Sequence, residues 1–137
     1  MTTIKTIIVD DEPLALGLLK SKLSKNADIE VVCQCRNGRE AIDAVLSHRA
    51  DLMFLDIQMP GLNGFQVLEN ITLEKPKVIF ATAYDQYAIK AFDENSVDYL
   101  LKPIEKDRLA KAIEKVKNQT SDKLDTKLVE TLISQLN

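Results

Sequence analysis

Five short apolar runs alternate along this chain with stretches of helical spacing. The runs fall at about 4–9, 29–35, 51–56, 78–81 and 97–101. The third, Asp51-Leu52-Met53-Phe54-Leu55, is almost wholly apolar, the composition of a strand buried on both faces of a parallel sheet. Between the runs lie amphipathic segments. Glu12-Pro13 opens a first helix to about residue 25, with Pro13 suited to its first turn and Leu14, Leu18, Leu19 and Leu23 as its apolar face. Asn37-Gly38 turns into a second helix with Ala41, Ile42, Val45 and Leu46 on one side. Gly64-Phe65 opens a third with Phe65, Leu68 and Ile71 inward. A fourth spans about 86–95 with an inner stripe of Ala88, Ala91 and Phe92, and a fifth starts near 105 with Leu109, Ile113 and Val116 inward. Short joins between strand and helix predict an α/β fold, a doubly wound five-stranded parallel sheet of flavodoxin-like order 2-1-3-4-5.

The strand ends carry the chemistry. Ile7-Ile8-Val9 stops on Asp10-Asp11-Glu12, and Phe54-Leu55 stops on Asp56, after which Pro60-Gly61 forces a loop. The fourth strand ends on Thr82 and the fifth on Lys102-Pro103. In the order 2-1-3-4-5, strands one and three flank the crevice where open α/β sheets place their ligands. Asp10, Asp11 and Asp56 then converge there, and like charges so close cost several kcal/mol unless a cation joins them or one carboxyl stays protonated. The cluster reads as a hard-cation site of the Mg²⁺ type. Lys102 offsets part of its charge and can meet an added anion, and Thr82 can donate a hydrogen bond to it. Such groups can hold a phosphoryl group. No glycine-rich phosphate loop of the Rossmann or P-loop type is present, nor a serine or cysteine placed with a histidine. The remaining nucleophile is a carboxylate, and a carboxylate attacking phosphorus gives an aspartyl phosphate.

Composition narrows the reading further. The chain has 137 residues, 45% hydrophobic and 28% charged, enough for one domain with its own core. A net charge of -3 and a pI near 5.2 lack the basic excess of a domain that grips nucleic-acid phosphates. No apolar stretch approaches a membrane span and Met1-Thr2-Thr3-Ile4-Lys5 has no apolar signal core, so a cytoplasmic location is expected. Cys33 and Cys35, at i and i+2 of a strand, share a face in a poor geometry for a mutual disulfide and read as reduced thiols. His48, in Ser47-His48-Arg49, has no partner suited to base catalysis and reads as surface.

Asp10-Asp11, Phe54-Leu55-Asp56-Ile57-Gln58-Met59-Pro60-Gly61, Thr82-Ala83 and Lys102-Pro103 together resemble the signature of receiver domains of bacterial two-component response regulators. The resemblance covers about 4–118. The run from Ala81 to Phe92, with Asp98-Tyr99-Leu100-Leu101-Lys102-Pro103, further resembles the LytTR subclass (LytR/AlgR-like regulators). Carried over by position, the resemblance makes Asp56 the phosphoacceptor. Asp11 would be a direct Mg²⁺ ligand, Asp10 would hold the ion mainly through water, and the Gln58 backbone carbonyl would complete the protein ligands. Lys102 would contact the phosphoryl group and Thr82 would move to bond it, while Tyr99 would be the aromatic switch that turns inward. The Lys102–Pro103 peptide would be cis, a state practically confined to X-Pro bonds. Phosphoryl supply by a sensor histidine kinase is implied, as is dimerisation on the face of helix four, strand five and helix five, which carries Lys90, Asp93, Glu94, Arg108 and Lys111.

LytTR regulators carry a DNA-binding domain after the receiver, whereas this chain ends at Asn137. DNA contact would therefore come only through a downstream domain not in the chain. We expect a receiver over 1–118 and a linker or C-terminal amphipathic helix over 119–137. Gln119-Thr120-Ser121-Asp122 should break or loosen the fifth helix, and Leu124, Leu128, Val129, Leu132, Ile133 and Leu136 beyond it form a helical stripe. A stand-alone receiver acting by protein docking shares all this chemistry. An enzyme, such as a metal-dependent phosphohydrolase, is disfavoured because Gln58, not an acid, stands two residues after Asp56.

Overall fold

The four residues Leu52–Leu55 form the central strand, and their side chains alternate between two hydrophobic layers. This computed structural model describes residues 3–72 and 75–136, with the side chains of 120–133 and 136 outside that description. The strands are β1 (Ile4–Val9), β2 (Ile29–Cys35), β3 (Leu52–Leu55), β4 (Lys77–Thr82) and β5 (Asp98–Leu101). They make one all-parallel sheet in the order β2-β1-β3-β4-β5. The helices are α1 (Pro13–Leu23), α2 (Gly38–His48), α3 (Gly64–Glu69), α4 (Ala88–Asp93) and α5 (Lys106–Leu136).

Strand periodicity divides the core. Ile7, Val9, Met53, Leu55 and Phe80 face one side, packing with Ala41 and Val45 of α2, Phe65 and Val67 of α3 and Ala91 of α4. Ile8, Leu52, Phe54, Ile79 and Leu100 face the other, against Leu16, Leu19 and Leu23 of α1 and Leu109, Ala112, Ile113 and Val116 of α5. Cys33 and Cys35 are free thiols on one face, their sulfurs 3.8 Å apart. Burial, and then the neighbouring Cys33, push the Cys35 thiol well above its ordinary range.

Several helix faces differ from expectation. In α1, Leu16, Leu19 and Leu23 face the core, while Leu14 and Leu18 are 76% and 56% exposed. Its leucines occur nearly all round the helix, so spacing alone admits two stripes, and contact with β1 and β2 selects one. Leu46 of α2 is likewise exposed. The fourth helix is shorter than 86–95, and of its expected stripe only Ala91 is buried; Ala88 is exposed, and Phe92 and Ile89 are each 81% exposed. Asn95 adopts a left-handed φ of 59° just after it, and the Ser96 hydroxyl donates to the Ala91 carbonyl, turning the chain into β5.

The fifth helix runs unbroken through 119–122, contrary to the expected break. No Gly or Pro occurs between Lys106 and Leu136, and polar residues lower helix propensity by only about 0.7 kcal/mol each at most. Gln119 is also tied to the domain, accepting a 3.3 Å hydrogen bond from Lys77 Nζ. The predicted apolar stripe from Leu124 to Leu136 lies outside the described side chains. Among the described residues no helix is long and apolar enough to cross a membrane.

Candidate phosphoacceptor site

Strand register brings the acids together. Val9 pairs with Leu55, so Asp10 and Asp56 both leave the sheet one residue past a matched pair, and the Asp56 N–H donates to the Val9 carbonyl at 3.1 Å. Leu55 in turn pairs with Phe80, and Thr82 with Leu101, so Thr82 and Lys102 close the same end of the sheet. The Lys102 N–H donates to the Thr82 carbonyl at 2.8 Å, and the Lys102–Pro103 bond is cis.

At this end one carboxylate oxygen from each of Asp10, Asp11 and Asp56 lies within 4.8 Å of the others. Asp10 and Asp56 are each 6% exposed and Asp11 is half-buried. Lys102 Nζ lies 2.5 Å from Asp10 Oδ2 and 3.2 Å from Asp56 Oδ2. The other oxygens are held by backbone: Asp10 Oδ1 accepts from the Glu12 N–H at 2.9 Å, and Asp56 Oδ1 from the Ile57 N–H at 2.7 Å. Each carboxylate is thus fixed in orientation by a neighbouring peptide, and the lysine spans the pair.

Electrostatics follow from this packing. Burial raises the Asp56 pKa above its ordinary 3.8; Lys102 opposes that rise, Asp10 adds to it, and a hydrogen bond with Thr82 eases it. Burial also works against the Lys102 ammonium, but hydrogen bonding to Asp10 and the charges of both acids more than offset this, and its pKa is raised. Three acids against one lysine leave the site net negative. Its oxygen donors, close together and short of positive charge, fit a hard divalent cation.

The site opens into a crevice of about 720 Å³ lined by residues including Asp11, Asp56, Gln58, Tyr84, Tyr87 and Lys102. Thr82 is fully buried beneath it, and its Oγ1 accepts from the Tyr84 N–H at 3.4 Å. Tyr99 is half-buried beside Phe80, ring centroids 6.4 Å apart, and its hydroxyl donates to the Tyr84 carbonyl. His48 is exposed at the end of α2, away from these residues.

Two positions gain meaning only from the structure. A Cβ built on Gly64 would stand 2.6 Å from the Asp56 carbonyl oxygen, so the first residue of α3 has to be glycine for the β3–α3 loop to close beneath Asp56. The Gly64 N–H donates to the Ile57 carbonyl at 2.8 Å, and Asn63 and Gln66 form a reciprocal capping box that fixes the same turn. Gly64 is visible in the sequence as a helix opener, but its contact with Asp56 is not. The second is Tyr87, whose hydroxyl accepts from the Gln58 carboxamide at 2.7 Å.

A five-stranded parallel α/β domain with clustered acids, a hydroxyl and a lysine at the carboxyl end of its sheet has the groups that can hold a phosphoryl group near a cation. Comparison with known proteins gives the class a family: the sequence profile described as "Response regulator receiver domain" matches residues 6–114. The chain belongs to that family and is a receiver domain of a response regulator. It is 49% identical over 119 residues to the transcriptional regulatory protein BtsR of Salmonella typhi, covering 86% of this chain and 50% of that protein. The sensory transduction protein LytT of Bacillus cereus is 36% identical over 126 residues, covering 90% of this chain and 51% of that protein. This chain therefore spans about half the length of these curated relatives. Among solved structures, the REC domain of AraT, a response regulator from Geobacillus stearothermophilus, superposes with a TM-score of 0.80 at 31% identity, covering 90% of this chain and 99% of that one. The response regulatory domain of protein mrkE from Klebsiella pneumoniae gives 0.78 at 31% identity, covering 86% and 98%.

Proposed function

We propose that this receiver takes a phosphoryl group from a sensor histidine kinase onto Asp56 and passes the change of state to a transcription-regulating output. The observation that carries the proposal is the placement of Asp56 within reach of Asp10, Asp11 and Lys102 at one end of the sheet. Asp11, Asp10, Asp56 and the Gln58 carbonyl would hold Mg²⁺, which when bound would balance the negative charge of the acids and of the incoming phosphoryl oxygens. Asp56 supplies the nucleophilic oxygen, and its orientation is set by the Ile57 N–H. Lys102 faces the oxygens that gain charge, and Thr82 lies beneath them to donate a hydrogen bond. Tyr99, whose hydroxyl meets the β4–α4 loop, would report that movement as a population shift between rotamers. The site traps a phosphoryl group, and Gln58, not an acid, stands two residues after Asp56 where a leaving group would be protonated, so the domain is a switch more than an enzyme, and it works in the cytoplasm beside its kinase.

Output would run through dimers on the α4–β5–α5 face. Ile89 and Phe92 on α4 and Leu101 on the edge strand are exposed apolar residues. Arg108 is not free to pair across a dimer: it is bound to Asp98 at 2.7 Å within the chain, with Lys115 at 3.1 Å from the same acid. The association surface is thus the apolar set, rimmed by exposed Lys90, Asp93, Glu94 and Lys111, and its occupant is a second copy of the chain. The segment after about 118 would carry the receiver's state to the output, in the manner of longer relatives named as transcriptional regulators.

Asp11→Ala tests the site. Calorimetric titration should show at least a tenfold loss of Mg²⁺ affinity, and phosphoryl uptake from a small phosphodonor should fall with it. Unchanged affinity would move the metal elsewhere. Sedimentation of the wild type should show tighter self-association with a phosphoryl mimic, and Phe92→Asp should abolish the increase. A monomer under both conditions would remove the dimer from the account.

A further inference from the structure

Asp56 chemistry does not require Tyr87, yet this residue joins the two walls of the crevice. It lies immediately before α4, while Gln58 lies two residues after Asp56 on the β3–α3 loop. The 2.7 Å hydrogen bond from Gln58 Nε2 to the Tyr87 hydroxyl spans from one loop to the other, and both residues line the crevice with Asp56 and Lys102. The Tyr87 ring is set in place by its neighbours, edge-on to Phe65 at 6.1 Å and to Tyr84 at 6.4 Å. Phe65 packs on Phe80 at 5.2 Å, Phe80 on Tyr99 at 6.4 Å, and the Tyr99 hydroxyl returns to the Tyr84 carbonyl. Five aromatic residues thus close a circuit, and the Gln58–Tyr87 bond is its attachment to the loop that leaves Asp56.

We infer that this bond is a latch across the mouth of the crevice that limits the access of water to an acyl phosphate on Asp56, so that Tyr87 is a positioning residue for the lifetime of the phosphoryl group. The inference rests on the proposed role of Asp56. In hydrolysis a water oxygen bonds to phosphorus as the bond from phosphorus to the Asp56 oxygen breaks. The carboxylate is restored, inorganic phosphate leaves, and the water's proton passes to phosphate or solvent. Displacement at phosphorus runs roughly in line, so the water enters opposite Asp56, from the open side of the crevice. That side is bounded by the two loops the latch joins. Without the latch the loops can part and the Gln58 carboxamide is released from its fixed position, and both changes admit water.

The test uses the whole chain phosphorylated by a small phosphodonor with Mg²⁺, freed of donor, and followed by intact mass as the phosphoryl group is lost. Tyr87→Phe removes the hydroxyl and keeps the ring; Gln58→Met removes the amide and keeps the length and the backbone carbonyl. Each should shorten the phosphoryl half-life about three- to tenfold, the population effect of one hydrogen bond of ordinary net strength. The double variant should be no faster than the faster single one, because both substitutions remove the same bond. Mg²⁺ affinity and melting temperature of Tyr87→Phe should match the wild type, which separates loss of the latch from loosening of the fold. An unchanged or longer half-life in Tyr87→Phe, or effects that multiply in the double variant, would overturn the latch. A wild type that takes no phosphoryl group on Asp56 would instead overturn the receiver chemistry, and the latch with it.

Discussion

Asp56→Asn is expected to raise the melting temperature of the metal-free protein by about 3–10 °C, roughly 1–2 kcal/mol for a domain of this size. The proposed phosphoacceptor is here a source of instability. Asp56 is buried beside Asp10, and its pKa is raised by that burial before any other cause. A carboxyl whose native pKa lies above its unfolded value binds protons more tightly when folded. Its favourable contribution is complete below the ordinary 3.8 and is lost as pH rises through the native value. The wild type and the asparagine variant should therefore melt together in strong acid and separate as pH climbs to neutrality. Saturating Mg²⁺ should stabilise the wild type and not the variant, since ligand binding to the native state adds stability by mass action. Thermal melts across pH 3 to 8, with and without Mg²⁺, measure all three trends. Equal melting temperatures at neutral pH would show that burial does not penalise the Asp56 carboxylate as packed.

Lys102→Ala should have the opposite sign and a larger size. Lys102 spans Asp10 and Asp56 at 2.5 and 3.2 Å, and its removal leaves two buried carboxylates facing each other. Breaking a buried ion pair by deleting one partner costs about 3–5 kcal/mol, and the 23% exposure of this side chain puts the expected loss near the lower figure. The raised Lys102 pKa means that its contribution is fully present below the ordinary lysine value of 10.5 and is lost only above it, so the whole effect is visible at neutral pH. In acid, where the carboxyls protonate, the gap from wild type should narrow. Adding Asp56→Asn to Lys102→Ala should recover part of the loss, because the two substitutions act on one charge cluster. Denaturant melts of the four proteins give the coupling directly, and strict additivity would contradict the geometry.

The contrast between these substitutions reflects what the sequence makes legible. Strand-end acids stand out because apolar runs stop abruptly on them, and a parallel sheet of this order can only bring those ends together. The same logic locates Thr82 and Lys102, since all the strands point one way. Their separate roles, and that of Tyr99, come from the family resemblance; the runs themselves indicate only proximity. Helix faces were less readable. Leu14, Leu16, Leu18 and Leu19 surround α1, so no single stripe is favoured until β1 and β2 choose Leu16 and Leu19. Phe92 looks like a core residue by hydrophobicity, but α4 is only six residues long and rests on the sheet through Ala91. The continuity of α5 through 119–122 was hidden for a different reason: polar residues suited to a cap also tolerate a helix interior when no Gly or Pro stops it. Gly64 is constrained by a close contact within the β3–α3 loop and Tyr87 meets Gln58 across two loops, and no local spacing records either.

The most direct test of the account is the location of one phosphoryl group. The wild-type chain should be treated with a small phosphodonor and Mg²⁺, and the product trapped by borohydride reduction, which converts an aspartyl phosphate to homoserine. Peptide mass mapping should then find homoserine at position 56 in the wild type and nowhere in Asp56→Asn. Conversion at any other aspartate at the wild-type rate, or a chain that takes no phosphoryl group while binding Mg²⁺, would contradict the assignment of Asp56 as phosphoacceptor.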